Sequence, residues 1–198
     1  MVQNMNLKEL ERKTWKSYFQ DGLWDIFLGM MMLLGGIRGL TDNVWFTLMM
    51  LPAILIIPLG KKFITIPRIG YVKFGSERKG KLKKLKAVVI ISVFATFVVL
   101  LLVLSGRDMG TKEIQTIIQA VGFPLVFSLM AYHMDFERLY VYGLFFAAGA
   151  VLWELYGSPI GPIAFSVSGS ITLLIGLILL IRLLRDYPIP VEEASDVN

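Results

Sequence analysis

An uncharged apolar run from Ala87 to Leu104 constrains this chain more than any other feature of its sequence. Of its eighteen residues, fourteen are Val, Ile, Leu or Phe, and only Ser92 and Thr96 are polar. Each such apolar residue contributes about −0.3 to −0.6 kcal/mol near the centre of a bilayer, so insertion of this run is favourable by about 4 to 8 kcal/mol. A helix of this length spans about 27 Å, close to the thickness of the hydrocarbon layer. The run therefore predicts a transmembrane helix.

Five further apolar runs have a similar character, and together they predict an all-α membrane protein with six crossings. The six predicted spans are residues 23–40, 44–59, 87–104, 114–132, 139–156 and 163–181. The second is short and contains Pro52 and Pro58, which predicts a bent helix or one that ends at Pro58. The chain has 56% hydrophobic and 18% charged residues and a mean hydropathy of +0.67. This composition is outside the usual range of water-soluble domains, which excludes most soluble enzyme folds.

The distribution of basic residues predicts which end of the helical bundle faces the cytoplasm. Six crossings place both termini on one side of the membrane. Seventeen of the 20 Lys and Arg residues lie on that side and three lie on the other. Because Lys and Arg are enriched in cytoplasmic loops, both termini and the 60–86 connection are predicted to be cytoplasmic, in a multi-pass protein of the cell membrane.

Two terminal segments are predicted to lie outside the six-helix transmembrane domain, which covers residues 21–185. Residues 1–20 are predicted to form a short interfacial amphipathic helix, capped by Asn6, with Trp15, Tyr18 and Phe19 on its apolar side. A solvated lead-in to the first span is the alternative. Residues 186–198 are acidic and contain two prolines, which predicts a disordered tail.

The 60–86 connection carries ten basic residues and a single acid, Glu77. Its β-branched and aromatic residues at 63–66 and 70–74 predict a small β-hairpin, followed by a flexible basic run. Its charge predicts contact with anionic lipid headgroups or an acidic partner. The candidate contact residues are Lys61, Lys62, Arg68, Lys73, Arg78, Lys79, Lys81, Lys83, Lys84 and Lys86. Orientation of the chain in the membrane is the other interpretation of these charges. No nucleic-acid partner is predicted, because no nucleic-acid-binding motif accompanies them.

Small residues recur at helical spacing in three spans and predict close packing of the first, fifth and sixth helices. The residues in these stripes are Gly22, Gly29, Gly36, Gly143, Ala147, Ser166, Gly169, Ser170 and Gly176. A substrate path lined by small residues is the alternative interpretation.

Asp25 lies within the first span, on the same helical face as Gly29, so it is predicted to point at the packed helices rather than at lipid. Acids inside a span are costly and are usually paired or functional. A structural ion pair with Arg182 is predicted, with Asp21 and Arg185 nearer to water. A site for an ion or a proton is the alternative.

At the opposite end of the bundle, Arg38, Asp42 and Glu154 are predicted to form a polar cluster, in which helix packing brings Arg38 near Glu154. No metal site is predicted. His133 and the nearby Asp135 supply too few ligands, and the chain contains no cysteine.

The predicted function is that of a non-catalytic membrane component whose basic cytoplasmic connection binds anionic lipid or an acidic partner. A small transporter or channel for an ion or small solute, using Asp25, is the alternative, and a lipid-modifying enzyme ranks third. Enzyme motifs are incomplete: Ser168-Gly169, for example, has no histidine after it to activate the hydroxyl. No cofactor is predicted. The thin bundle is compatible with a homodimer or with a second membrane protein as partner.

Overall fold

The structure is a computed structural model that describes residues 15–69, 76–104 and 112–188. All regular secondary structure within these ranges is helical. Residues 15–19 form a helical turn. The elements that follow are α1 (Leu23–Thr41), α2 (Trp45–Ala53), α3 (Ile56–Gly60), a π-helical turn (Lys61–Thr65), α4 (Ile66–Ile69), α5 (Ser76–Leu104), α6 (Lys112–Met134), α7 (Arg138–Tyr156) and α8 (Ile160–Asp186).

Within the described ranges, five helical segments are long and apolar enough to cross a membrane. They are Trp15–Thr41, Trp45–Ile69, Lys112–Met134, Arg138–Tyr156 and Ile160–Asp186. These segments contain the first, fourth, fifth and sixth predicted spans, and they contain the second except for its first residue. The third predicted span lies within α5, and its crossing of the membrane stays a prediction. The described part of the chain is therefore all-helical and has the helices of a membrane protein.

The outer surface of the helices is apolar, as a lipid environment requires. Ile90 and Phe94 of α5 are each 66% exposed, and Ile117 of α6 and Ile178 of α8 are exposed to a similar degree. Water would make such a surface an aggregation hazard, whereas lipid chains solvate it.

The closest helix pair is α1 with α8, and glycines allow their backbones to touch. A methyl group placed on Gly29 would lie 2.5 Å from the backbone nitrogen of Leu173, and one on Gly176 would lie 2.6 Å from that of Ile26. The same close approach to the opposite backbone is found at Gly22, Gly36 and Gly169. The predicted packing of the first span against the sixth is thus confirmed.

Helix α7 lies between α6 and α8. A methyl group on Gly143 would come within 2.7 Å of the Phe127 Cβ on α6, whereas Gly149 faces the Phe165 ring on α8. Ala147 is buried in the same helix. The predicted contact of the fifth span (α7) with the sixth (α8) is present. Gly143, however, packs on the fourth span (α6) instead of the sixth.

The second predicted span continues in helical turns to Ile69, well beyond Pro58. The first strand of the predicted hairpin, at 63–66, is therefore wrong, and 70–74 lies outside the described residues. β-branched residues form a strand only where a second strand completes its hydrogen bonds, and here helical turns satisfy the backbone instead. The predicted flexible run is also wrong over 76–86, because α5 begins at Ser76.

The N-terminal aromatic residues pack on the protein itself. Trp15 and Phe19 are buried in a cluster with Met134, Phe136 and Tyr142, and the Trp15 indole donates a 3.0 Å hydrogen bond to the Met134 carbonyl. The predicted interfacial position is therefore wrong for Trp15 and Phe19, and the predicted disordered tail is wrong at Asp186, which is the last residue of α8. Residues 1–14 and 189–198 lie outside the described ranges, so the rest of both segments stays a prediction.

Candidate functional site

Three carboxylates, each paired with basic side chains, lie at one end of the helical bundle. Asp21 and Asp25 stand at the start of α1, and Asp135 stands in the connection between α6 and α7. We call these groups and their partners the paired-acid cluster. A charge removed from water must be neutralised and fully hydrogen-bonded to be tolerated, so the partners define what each acid can do.

Asp25 is fully buried, and the start of α7 supplies its partners. Arg138 Nε donates to Asp25 Oδ1 at 2.9 Å and Arg138 Nη2 donates to Oδ2 at 3.3 Å. The Tyr142 hydroxyl donates to Oδ1 as well. Arg138 and Tyr142 are four residues apart and therefore share one face of α7. With three donors on its two oxygens, the carboxylate is held as half of a structural ion pair.

The ion pair predicted for Asp25 exists, but the predicted partner is wrong. Arg182 and Arg185 are largely exposed and bond to Asp186, at 3.4 and 3.3 Å. The residue of α8 that lies beside Asp25 is Gly176. Arg182 is six residues farther along α8, about 9 Å along the helix axis, and is therefore at a different level of the bundle.

Asp21 is equally buried and is held by the π-helical turn. Lys61 Nζ lies 2.7 Å from Asp21 Oδ2, and Thr65 Oγ1 donates to the same oxygen at 2.5 Å. Lys61 also donates to the carbonyl of Tyr18, and the other oxygen of Asp21 accepts the backbone N–H of Leu23 at 3.2 Å. Asp21 therefore joins the start of α1 to the end of the second span.

Asp135 pairs with two basic residues of α5. Arg78 contacts one carboxylate oxygen, and Lys81 Nζ lies 2.9 Å from the other. Gln20 Nε2 donates to the Asp135 carbonyl at 2.8 Å. Partial burial acts to raise the pKa of Asp135, but the hydrogen bonds and charges of Lys81 and Arg78 outweigh it and hold this pKa below its ordinary value. The carboxylate is therefore ionised at neutral pH.

The basic residues that were predicted to contact lipid fall into two groups, those that bond within the protein and those that remain exposed. Lys61, Arg78 and Lys81 are engaged inside the protein, and Arg68 reaches the Ile64 carbonyl at 3.4 Å. Lys73 lies outside the described residues. The basic residues that remain exposed are Lys62, Lys79, Lys83, Lys84 and Lys86.

At the opposite end, the predicted contact between Arg38 and Glu154 is wrong. Arg38 Nε donates to Thr47 Oγ1 at 3.1 Å, and Asp42 ends α1 in a left-handed conformation at φ 50°. The Trp153 ring occupies the space beside Gly39. Glu154 lines a cavity formed by residues of α6, α7 and α8.

His133 lies in the last turn of α6 with its ring beside Tyr132, and its Nδ1 is buried. No group of three or more potential metal ligands was found in the part of the chain that the structure describes.

Comparisons with protein-family models, with curated proteins and with solved structures gave no match to this chain. Its class thus rests on its own geometry: the part of the chain that the structure describes is all-helical and contains five helices able to cross a membrane. The paired-acid cluster joins its helices at one end.

Proposed function

We propose that the chain is a non-catalytic component of the cell membrane that crosses it six times and binds anionic lipid headgroups through the start of α5. Both termini and this lysine-rich start are cytoplasmic in the proposal. The observation that carries it is an abrupt change along α5 from exposed lysines to exposed aliphatic side chains.

The change takes place within about one helical turn. Lys83, Lys84 and Lys86 are exposed, and Ile90 and Ile91 then have 66% and 67% of their surface exposed. A helix passing from headgroups into hydrocarbon requires this order, because lysine stems lie along apolar surface while their ammonium groups remain in water. The paired-acid cluster supports the same assignment, since Asp135 fixes α5 through Arg78 and Lys81 and leaves the other lysines free to contact lipid.

Full occupation of the Asp25 oxygens supports a structural role for this acid. A transported cation would have to displace Arg138 and Tyr142 from a side chain that is 0% exposed. The transporter alternative therefore gains no support from the site.

Lipid binding is testable by replacing four exposed lysines of α5 with glutamine: Lys79, Lys83, Lys84 and Lys86. Each basic residue near the surface contributes about 1 kcal/mol of attraction to anionic lipid, so we expect the fourfold variant to lose most of the preference for phosphatidylglycerol over phosphatidylcholine. Native mass spectrometry of the chain released from mixed vesicles measures the lipids retained. High salt should weaken the wild-type preference in the same way.

Lys112→Gln is the control, because this exposed lysine lies at the other end of the bundle. We expect it to keep the wild-type preference. An undiminished preference for phosphatidylglycerol in the fourfold variant would contradict the proposal.

The proposed topology is testable because the chain contains no cysteine. Single cysteines introduced as Lys79→Cys and Lys112→Cys flank the third predicted span. In intact cells, a membrane-impermeant maleimide should label Lys112→Cys alone, and Lys79→Cys should react only after permeabilisation. Labelling of both in intact cells would show that α5 does not cross, and the reverse pattern would overturn the orientation.

A further inference from the structure

A second site of interest lies at the end of the bundle opposite the paired-acid cluster. A cavity of about 300 Å³ is lined by Gln119 of α6, by Ala150, Trp153 and Glu154 of α7, and by Phe165 of α8. Its volume is at the small end of the range of about 300–1,000 Å³ for ligand pockets, which suits a single small group.

Two oxygen acceptors at this cavity lack donors. Gln119 Oε1 is buried without a hydrogen-bond partner. Glu154 forms none of the ion pairs found among the described residues. The acids of the paired-acid cluster, in contrast, each hold at least two donors. Because an unsatisfied buried acceptor is costly, Gln119 Oε1 points to a donor supplied from outside the chain. The half-buried Glu154 carboxylate at the same cavity provides a second acceptor for that donor.

Aromatic rings form another wall of the cavity. The Trp153 and Phe165 ring centroids are 6.0 Å apart with planes inclined at 65°. The π faces of such rings attract cations and provide an apolar surface for the carbon atoms attached to them.

Glu154 is the one charged side chain among the described residues that line the cavity. An adjoining cavity is lined by Lys112, Glu113 and the other side of Glu154. Glu113 is engaged in an interaction of its own. Lys112 is exposed and does not line the first cavity. The carboxylate of Glu154, with no basic residue beside it in the lining of the first cavity, favours a positively charged ligand.

We propose that this cavity binds an ammonium group that carries N–H donors, from either a free primary amine or the headgroup of phosphatidylethanolamine. The N–H groups donate to the Glu154 carboxylate and to Gln119 Oε1, while the attached carbon atoms pack against Trp153 and Phe165. The site is independent of lipid binding at α5, because it uses different helices and the other end of the bundle.

The test uses the full chain in phosphatidylcholine nanodiscs. Isothermal titration with ethanolamine measures a free amine, and native mass spectrometry after addition of phosphatidylethanolamine counts bound lipid. We expect one ammonium-bearing ligand per chain. Glu154→Gln should weaken binding by about tenfold or more, because it removes a charged acceptor, and Gln119→Met by about fivefold.

Glu137→Gln is the matched control. This carboxylate is 84% exposed at the other end of the bundle and lies 3.6 Å from Lys16. We expect it to leave binding unchanged. The Gln119→Met variant keeps the test decisive if Glu154→Gln fails to fold.

Each outcome has one meaning. Saturable ethanolamine binding that is weakened in Glu154→Gln supports the site and identifies a free amine as sufficient. Retention of phosphatidylethanolamine alone, with the same sensitivity, supports the site and identifies the lipid. Absence of both, unchanged binding in the two cavity variants, or equal binding of choline, whose nitrogen carries no hydrogen, would overturn the proposal.

Discussion

Replacing Gly29 with isoleucine is expected to force α1 away from α8 and to lower the free energy of unfolding by about 3 kcal/mol. A Cβ at this position would lie 2.5 Å from the Leu173 nitrogen and 2.8 Å from its Cα. Both are backbone atoms, so no change of side-chain rotamer can relieve the clash. The close approach of these helices provides the dispersion contacts that hold membrane helices together, and those contacts would be lost along the whole pair.

Gly122 offers a matched control for this substitution. It also lies within a helix, but no atom stands within 4 Å of a Cβ placed there. Gly122→Ile should therefore change stability little. Reversible unfolding in mixed micelles, followed by loss of helical circular dichroism, measures both variants. Equal stability of Gly29→Ile and wild type would contradict the described packing of α1 on α8.

Loss of the Arg138 charge is the second change with a large expected effect. Arg138→Met leaves the fully buried Asp25 without its cation, and such an uncompensated charge typically costs about 3–5 kcal/mol. Because Arg138 itself is 29% exposed, we expect the lower end of that range. The same unfolding measurement applies.

Two further variants identify the partner of Asp25. Removing the whole group, by Asp25→Leu and Tyr142→Phe in addition to Arg138→Met, should recover most of the lost stability, because no polar group is then stranded. Arg182→Met should change stability by about 0.5 kcal/mol or less, since Arg182 is 71% exposed. A larger loss in Arg182→Met than in Arg138→Met would show that the sequence-based pairing was right after all.

Local and periodic features of the sequence predicted most of the helices. Apolar runs determine where a chain can cross a bilayer, so α1, α6, α7 and α8 agree closely with four predicted spans. Glycine spacing likewise predicted the contact of α1 with α8, because backbone approach depends only on the absence of side chains along one face.

Partners that are distant in sequence could not be predicted in this way. Arg182 was chosen for Asp25 because the two helices pack together, but helix contact does not determine the level at which side chains meet. One signal was available: Arg138 and Tyr142 lie four residues apart at the start of the fifth predicted span. Lys61 and Thr65 have the same four-residue spacing. It was not recognised as a helical spacing because the 60–86 connection was predicted to be non-helical there.

The pair of Asp25 and Arg138 has a consequence for biosynthesis, since 113 residues separate the two groups. At about 5–20 residues per second, the ribosome adds this length in about 6 to 23 seconds. Throughout that interval the nascent first helix carries an acid whose cation has not yet been synthesised. Its carboxylate must therefore remain hydrated during that time, and the fold can close around it only after the start of α7 has been synthesised.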